Sequence, residues 1–167
     1  METRIEEFRE EYVSELRQVF FSSVHENARD YYNEDQLNAW APEHYDRVAW
    51  QERILRIRPF VCFSDSILVG YSDIQADGYI DHFFVRGGYS GKGIGKALMG
   101  KLIETAERKK IKRLYSEVSL SAQRFFQRNG FRIVRKQTVE KQGLFLENAI
   151  MERILDESSN GDLASLG

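Results

Sequence analysis

Val85-Arg86-Gly87-Gly88-Tyr89-Ser90-Gly91-Lys92-Gly93-Ile94-Gly95-Lys96-Ala97-Leu98 carries a strand into a cluster of glycines and the glycines into a helix. The strand-like run Tyr79 to Val85 precedes it. Behind it, Ile94, Leu98 and Leu102, with Ala97 and Ile103 beside them, repeat at the spacing of one helix face through about Lys109. The first N–H groups of a helix lack intrahelical acceptors and sit at the positive end of its macrodipole. Glycines let the backbone close around an anion with no Cβ in the way, and Lys92 and Lys96 add charge. A pyrophosphate is the natural guest. The stretch fails the P-loop pattern because Ala97 follows Gly95-Lys96 where a Ser or Thr is needed for magnesium. It also fails the G-x-G-x-x-G fingerprint of dinucleotide folds, since Gly91-Lys92-Gly93-Ile94-Gly95 reads G-x-G-x-G. A plain glycine-rich turn without a ligand is the simplest alternative, and the strand-turn-helix context and the lysines argue against it.

Outward from this turn the chain alternates between helical and strand-like periods. Upstream, Phe60 to Phe63, Ile67 to Ile74 and Tyr79 to Val85 are strand-like and separated by Ser64-Asp65-Ser66 and Ala76-Asp77-Gly78, which predicts an antiparallel meander. The amino-terminal part predicts a short strand within Arg4 to Arg9 and a helix over about 10–31. A second helix is opened by Asn33 with Gln36 at N3, and a third runs over about 43–55. Downstream, Leu114 to Val118 reads as a buried strand and Ser121 to Asn129 as a helix closed by Gly130. Phe131 to Val139 and Leu144 to Met151 read as two last strands. Residues 1–156 form one expected domain, and the Ser-, Gly- and Asp-rich residues 157–167 read as a disordered tail.

Composition narrows the class. Hydrophobic residues are 42% and charged residues 30% of the 167, which excludes a disordered or collagen-like polymer. The net charge of -2 gives no electrostatic reason to bind nucleic acid. No apolar run approaches the roughly 20 residues of a membrane span, so the expected location is the cytoplasm with no membrane partner. A single cysteine, Cys62, excludes an internal disulfide framework and reads as a small buried strand residue. His25, His44 and His82 are scattered without ligand spacing, so no metal site is expected.

The glycine turn resembles motif A of the GNAT superfamily of acyl-CoA-dependent N-acetyltransferases, a strand ending in Val followed by [RQ]-x-x-G-x-[GA] at a helix start. Val85 ends the strand and Ser90-Gly91-Lys92-Gly93-Ile94-Gly95 fills the motif, with Ser90 where Gln or Arg is usual. Ser119-Leu120-Ser121-Ala122-Gln123-Arg124-Phe125-Phe126-Gln127-Arg128-Asn129-Gly130-Phe131 resembles motif B, with Ser119 in place of Asn. Phe126 stands where many members keep a Tyr that protonates the departing thiolate. With His25, Ala28, Tyr31-Tyr32, Gln36-Leu37 and Ala39-Trp40 upstream, the combination looks like a bacterial branch of the superfamily. The resemblance runs from about residue 4 to residue 154. It implies an α/β (α+β) domain with a mostly antiparallel, splayed sheet of six to seven strands and helices on both faces. It also implies transfer of an acetyl group from acetyl-CoA directly to a primary amine of a small molecule or peptide, by a monomer or homodimer. A non-catalytic CoA-binding regulatory module is the alternative.

Each task of that chemistry has candidates here. By resemblance, Phe83, Val85, Ser90, Gly91, Lys92, Gly93, Ile94, Gly95, Lys96, Ser119, Ala122, Phe125 and Phe126 hold the cofactor, with the amide of Phe83 or Val85 polarising the thioester oxygen. Strand alternation places Tyr79, Asp81, Phe83 and Val85 on one face and Ile80, His82 and Phe84 on the other. Asp81 is a candidate base, or else a structural hydrogen-bonding partner. His82 has an ordinary pKa suited to base work but equally fits a satisfied core position. Ser119 either contacts the cofactor and relays a proton or simply caps the next helix, and Glu117 is a weaker base candidate. His25, Tyr31, Tyr32 and Trp40, on the amino-terminal helices, form the expected acceptor wall or else pack that lid onto the sheet. The cluster Arg108 to Arg113 reads as a solvated helix end that could also meet the CoA 3′-phosphate.

Overall fold

A buried acid decides how the strands divide. In a computed structural model that describes residues 2–155, Asp73 follows β3 (Ile67–Ser72) and has no exposed surface. Its Oδ1 accepts from the amides of Asp81 (3.0 Å) and His82 (2.7 Å), and its Oδ2 accepts from Gln75 Nε2 (2.7 Å). Those two amides interrupt what the sequence presents as one strand, Tyr79 to Val85. β4 (Tyr79–Ile80) pairs in parallel with β6 (Arg113–Ser119), whereas β5 (Phe83–Val85) pairs antiparallel with β3.

The consequence is a split sheet. β1 (Thr3–Glu6), β2 (Phe60–Ser64), β3 and β5 form one four-stranded sheet in that order; β4, β6, β8 (Leu144–Ile154) and β7 (Arg132–Lys141) form the other. Counting β4 and β5 as one broken strand gives the seven-stranded, mostly antiparallel, splayed sheet expected from the sequence. β5 is the outer strand of its sheet, and a cleft opens between it and the Ser119 end of β6.

Helices cover both faces. α1 (Val13–Ser22) runs into a more widely wound turn, Ser23–Asn27, and α2 (Glu34–Trp40) begins at the predicted capping box, with Gln36 N donating to Asn33 Oδ1 (2.8 Å) and Asn33 N to Gln36 Oε1 (2.9 Å). α3 (Arg47–Ile57) starts later than the sequence suggests, because Asp46 Oδ1 accepts from the amides of Val48 and Ala49 and so fixes the helix start. Leu16, Val19, Phe20, Trp50 and Ile54 from α1 and α3 pack with Val61, Phe63 and Tyr71 in one core. α4 (Ile94–Arg108) packs Ile94 and Leu98 against Cys62 and Val69 on the opposite face, and α5 (Gln123–Arg128) joins a third cluster through Phe126. The amino-terminal strand and the last two strands are each shifted by a few residues from their predicted bounds, and the tail 157–167 lies outside the described residues. Among the described residues no helix is long and apolar enough to cross a membrane.

Asp73→Ala leaves two backbone amides at the strand break without their acceptor, at a cost of about 2 to 4 kcal/mol. Urea unfolding of the variant measures this directly, and a loss below about 1 kcal/mol would show that the break does not depend on the carboxylate.

Candidate active site

The glycine turn is built as its composition requires. Gly88, Gly91 and Gly93 have φ of +86°, +76° and +85°, and Gly93 is the residue that leads into α4. Only glycine takes this left-handed conformation without cost. Gly95 is needed for a different reason: a Cβ there would stand 3.0 Å from the Phe125 ring, which packs directly on the helix. Between this turn, the Ser23–Asn27 turn and β5 lies a cavity of about 330 Å³. Ten of the residues assigned to the cofactor by resemblance, Phe83, Val85, Ser90, Gly91, Gly93, Gly95, Lys96, Ser119, Ala122 and Phe125, line it together.

Three predicted cofactor residues stand elsewhere. The side chain of Ile94 is buried against the sheet, because the apolar stripe of α4 begins there, so only its backbone can face an anion. Phe126 is buried between Phe83, Phe125 and Phe131, because the alternate positions of α5 must fill the core beneath Phe125. Lys92 is exposed with its ammonium 5.3 Å from the centre of the Tyr89 ring, outside the cavity wall. Residues 108–113 do not line it either.

β5 supplies the cleft with backbone groups. The ladder to β3 uses Asp73 N to His82 O (3.3 Å) and Arg86 N to Val69 O (2.7 Å), and alternation then turns the peptide groups of Phe83 and Val85 away from β3. Asn27 Nδ2 donates to Val85 O (2.9 Å), so the wide helical turn occupies that carbonyl while the amides of Phe83 and Val85 face the cleft. Ser22 Oγ accepts from Gly87 N (3.0 Å), which ties the glycine turn to the same helix.

On the other side of β5 lies a second cavity of about 530 Å³. Asp81, His82, Tyr32, Trp40, Glu117 and Ser119 line it, so one catalytic candidate set and part of the expected acceptor wall come together. Trp40, Phe84 and Ser119 belong to both cavities, which therefore meet at the broken strand. Tyr79, Asp81, His82 and Phe84 share this wall, so the predicted two-face alternation does not survive the break at Asp73. His25 and Tyr31 line neither cavity. His25 hydrogen-bonds Ala41 O through Nε2 (2.8 Å) and stacks on Phe21, holding the lid, while Tyr31 is 54% exposed. Tyr32 is a strut: its hydroxyl donates to Glu147 O (2.6 Å) and accepts from Leu120 N (2.9 Å). A third, roomier cavity of about 600 Å³ lies near Arg56, Arg58 and Lys109, away from the glycine turn.

The electrostatics separate the candidates. Both oxygens of Asp81 accept from Arg53 Nη2 (2.9 and 3.1 Å), so this carboxylate is already held in an ion pair. His82 is buried among Phe20, Trp50, Tyr71 and Phe84, and its Nδ1 shares a hydrogen bond with Tyr71 Oη (2.9 Å). Burial holds its pKa well below the usual histidine range, so the ring is neutral and weakly basic. Burial raises the Tyr79 hydroxyl to about 12 and the Cys62 thiol to about 11, and Cys62 faces α4 rather than either cavity. Glu117 carries one hydrogen bond, from Gln137 Nε2 (3.2 Å). Ser119 Oγ shares one with Ser121 Oγ (2.9 Å) rather than capping α5, whose leading residue makes no side-chain cap. Arg17, Tyr45, Trp50 and Arg53 line the second cavity and were not legible as site residues.

A glycine-capped helix beside an open strand edge, with one cavity on each side, is a geometry suited to a phosphate-bearing donor held next to a second molecule. Comparison with known proteins specifies it: the family model for the acetyltransferase (GNAT) domain matches residues 28–152, and the chain belongs to that family. An uncharacterised N-acetyltransferase of Escherichia coli K12, YafP, is 30% identical over 137 residues, covering 82% of this chain and 86% of that one. Among solved structures, a GCN5-related N-acetyltransferase from Rhodopseudomonas palustris superposes with a TM-score of 0.88 at 23% identity over 93% of this chain and 97% of that one. The PaiA N-acetyltransferase of Thermoplasma acidophilum, in complex with coenzyme A, superposes with a TM-score of 0.72 at 21% identity over 92% and 99%. The protein is thus an acyltransferase of the GNAT type.

Keeping His82 neutral contributes stability that is present above pH 6.5 and is lost as the pH falls below it, by up to about 1.4 kcal/mol per pH unit. A His82→Gln variant lacks that slope. The gap between the two unfolding free energies in urea therefore narrows from about pH 7 to about pH 5; a constant gap would mean that the buried ring titrates normally.

Proposed function

We propose that this protein transfers an acetyl group from acetyl-CoA directly to a primary amine bound in the larger of the two joined cavities. The observation that carries this reading is their meeting at Trp40, Phe84 and Ser119, beside the outward amides of Phe83 and Val85. The amides of the turn at Gly91 to Gly95 would hold the pyrophosphate, with Lys96 adding charge at the rim. An amide of β5 would polarise the thioester oxygen.

In the reaction the amine nitrogen forms a bond to the acetyl carbon as the carbon–sulfur bond breaks. The amine must first lose a proton. Glu117 is the favoured acceptor, because it lines the amine cavity two positions before Ser119 on the same face of β6 and carries a single hydrogen bond. Asp81 would have to release Arg53 to do the same, and His82 is too weakly basic. Asp81 and Arg53 therefore act as a fixed wall of the amine cavity. The thiolate leaves toward Ser119, whose hydroxyl, paired with that of Ser121, stands where the two cavities join. Phe126, at the position where many family members keep a tyrosine acid, cannot help because its ring has no hydroxyl proton to give, and it is buried in the core.

Two measurements check this reading. Calorimetric titration with acetyl-CoA should show micromolar binding that Gly93→Asp weakens by about a hundredfold or more, since the new carboxylate faces the pyrophosphate site. Gly93→Ala carries the same backbone strain without the charge and should bind much better. No binding by the parent chain would overturn the reading. In a screen of amines, Glu117→Gln should lower kcat roughly a hundredfold with acetyl-CoA binding intact. Binding without turnover on any amine would instead favour a CoA-binding regulatory module.

A further inference from the structure

The amine cavity contains a buried cation with no anion. Arg17 is buried, with 9% of the residue exposed, and lines this cavity, and no carboxylate of the described residues pairs with it. It lies 4.0 Å from the centre of the Tyr45 ring and 5.0 Å from those of Phe20 and Trp50, and one Nη donates to Pro42 O (2.8 Å). Its Nε is buried without an acceptor. None of the acids that share the cavity pairs with it: Asp81 is held by Arg53, Asp46 fixes the start of α3, and Glu117 stands on β6 with its one hydrogen bond from Gln137. Uncompensated buried charge is unfavourable, and three aromatic rings offset it only in part. They do hold the guanidinium fixed, which is what a receptor for a flat anion requires.

A complementary gap lies in the same cavity. Asn148 stands across the ladder from Ser119, and its Oδ1 is buried with no donor. The cavity wall thus holds a cation at Arg17 and, in Asn148 beside Ser119, a buried oxygen that has no donor. Phe20 spans the interval, 5.0 Å from the Arg17 guanidinium and 4.9 Å from Phe84 at the junction.

We infer that the acceptor is a small amino acid in the broad sense, an amine that also bears a carboxylate, with the carboxylate seated on Arg17 and the amine directed toward Asn148 and Ser119. This deepens the acetyl-transfer reading and rests on it. The planar guanidinium fork suits a carboxylate, and the second cavity has room for a short carbon chain between the two groups.

The test compares a series of straight-chain amino acids with the alkylamines that lack the carboxylate and with the matching aminoalkylphosphonates, following CoA release. The carboxylates should exceed their matched amines in kcat/KM by about tenfold or more. Arg17→Gln should collapse that ratio toward one while acetyl-CoA affinity is retained, and Arg17→Lys should restore part of it. If Arg17 merely holds the Pro42 loop, both substrate classes fall together and the inference is overturned, as it is if the parent enzyme uses plain amines equally well. A preference for phosphonates would keep the anion site but overturn the carboxylate. Tryptophan fluorescence of the acetyl-CoA-free protein reads the Arg17 site on its own, because the Trp50 ring lies beside the guanidinium. Carboxylate-dependent quenching that Arg17→Gln abolishes supports the inference even if acetyl transfer fails. No response and no use of any acid contradicts it.

Discussion

The Asp73 carboxylate is the constraint on which the rest of the molecule depends. A strand between two others ordinarily exchanges hydrogen bonds with both, and Tyr79 to Val85 could have done so along its length. Asp73 instead takes the amides of Asp81 and His82 into the interior. Burial raises its pKa to about 6, while those amides and Gln75 favour the charged form, so the carboxylate is placed at a cost that its hydrogen bonds partly offset. Once the amides are diverted, β4 stays with β6 and β5 turns to β3. The two sheets then separate at one point rather than fraying along an edge.

That separation explains why the chemistry sits where it does. An outer strand in a soluble protein is ordinarily a liability, because its backbone groups invite another chain. Here the edge of β5 is short and faces a cleft walled by α4, the Ser23–Asn27 turn and α5, so its amides are available to one kind of guest. The glycine turn brings the positive end of α4 to the same cleft, and Gly95 lets Phe125 close the far wall. On the opposite side, the lid of α1, α2 and α3 surrounds a cavity with charges of both signs. Donor and acceptor therefore approach one strand from two faces.

Much of this was legible in the sequence where local chemistry is decisive. The glycine turn, the Asn33–Gln36 capping box and the order of strands and helices depend on near neighbours, and the structure keeps them. The residues that could not be read depend on distant partners. Asp73 closes an ordinary strand run, and nothing beside it reveals that amides of another segment converge on its oxygens. Arg17 is one cation on an otherwise apolar helix face, and only the folding of Tyr45 and Trp50 over it shows that it is buried. The aromatic lid misled in the opposite way. Tyr31, Tyr32, His25 and Trp40 look alike in sequence, yet the turn that follows Asn27 leaves Tyr31 outward, His25 bonds to Ala41, and Tyr32 and Trp40 remain on the wall. Ile94 and Phe126 belong to recognisable motifs but answer to the core beneath them.

The central claim is that the amides of Phe83 and Val85, freed by the strand break, receive an acyl-CoA together with the turn at Gly91 to Gly95. Backbone nitrogen-15 spectra during titration with acetyl-CoA test it most directly. The amide signals of Phe83, Val85, Gly93 and Gly95 should move together and saturate at one affinity, with those of the β7–β8 turn at Gln142 and Gly143 unchanged. Movement of the glycine signals without Phe83 and Val85, or movement centred on Arg56, Arg58 and Lys109, would contradict it.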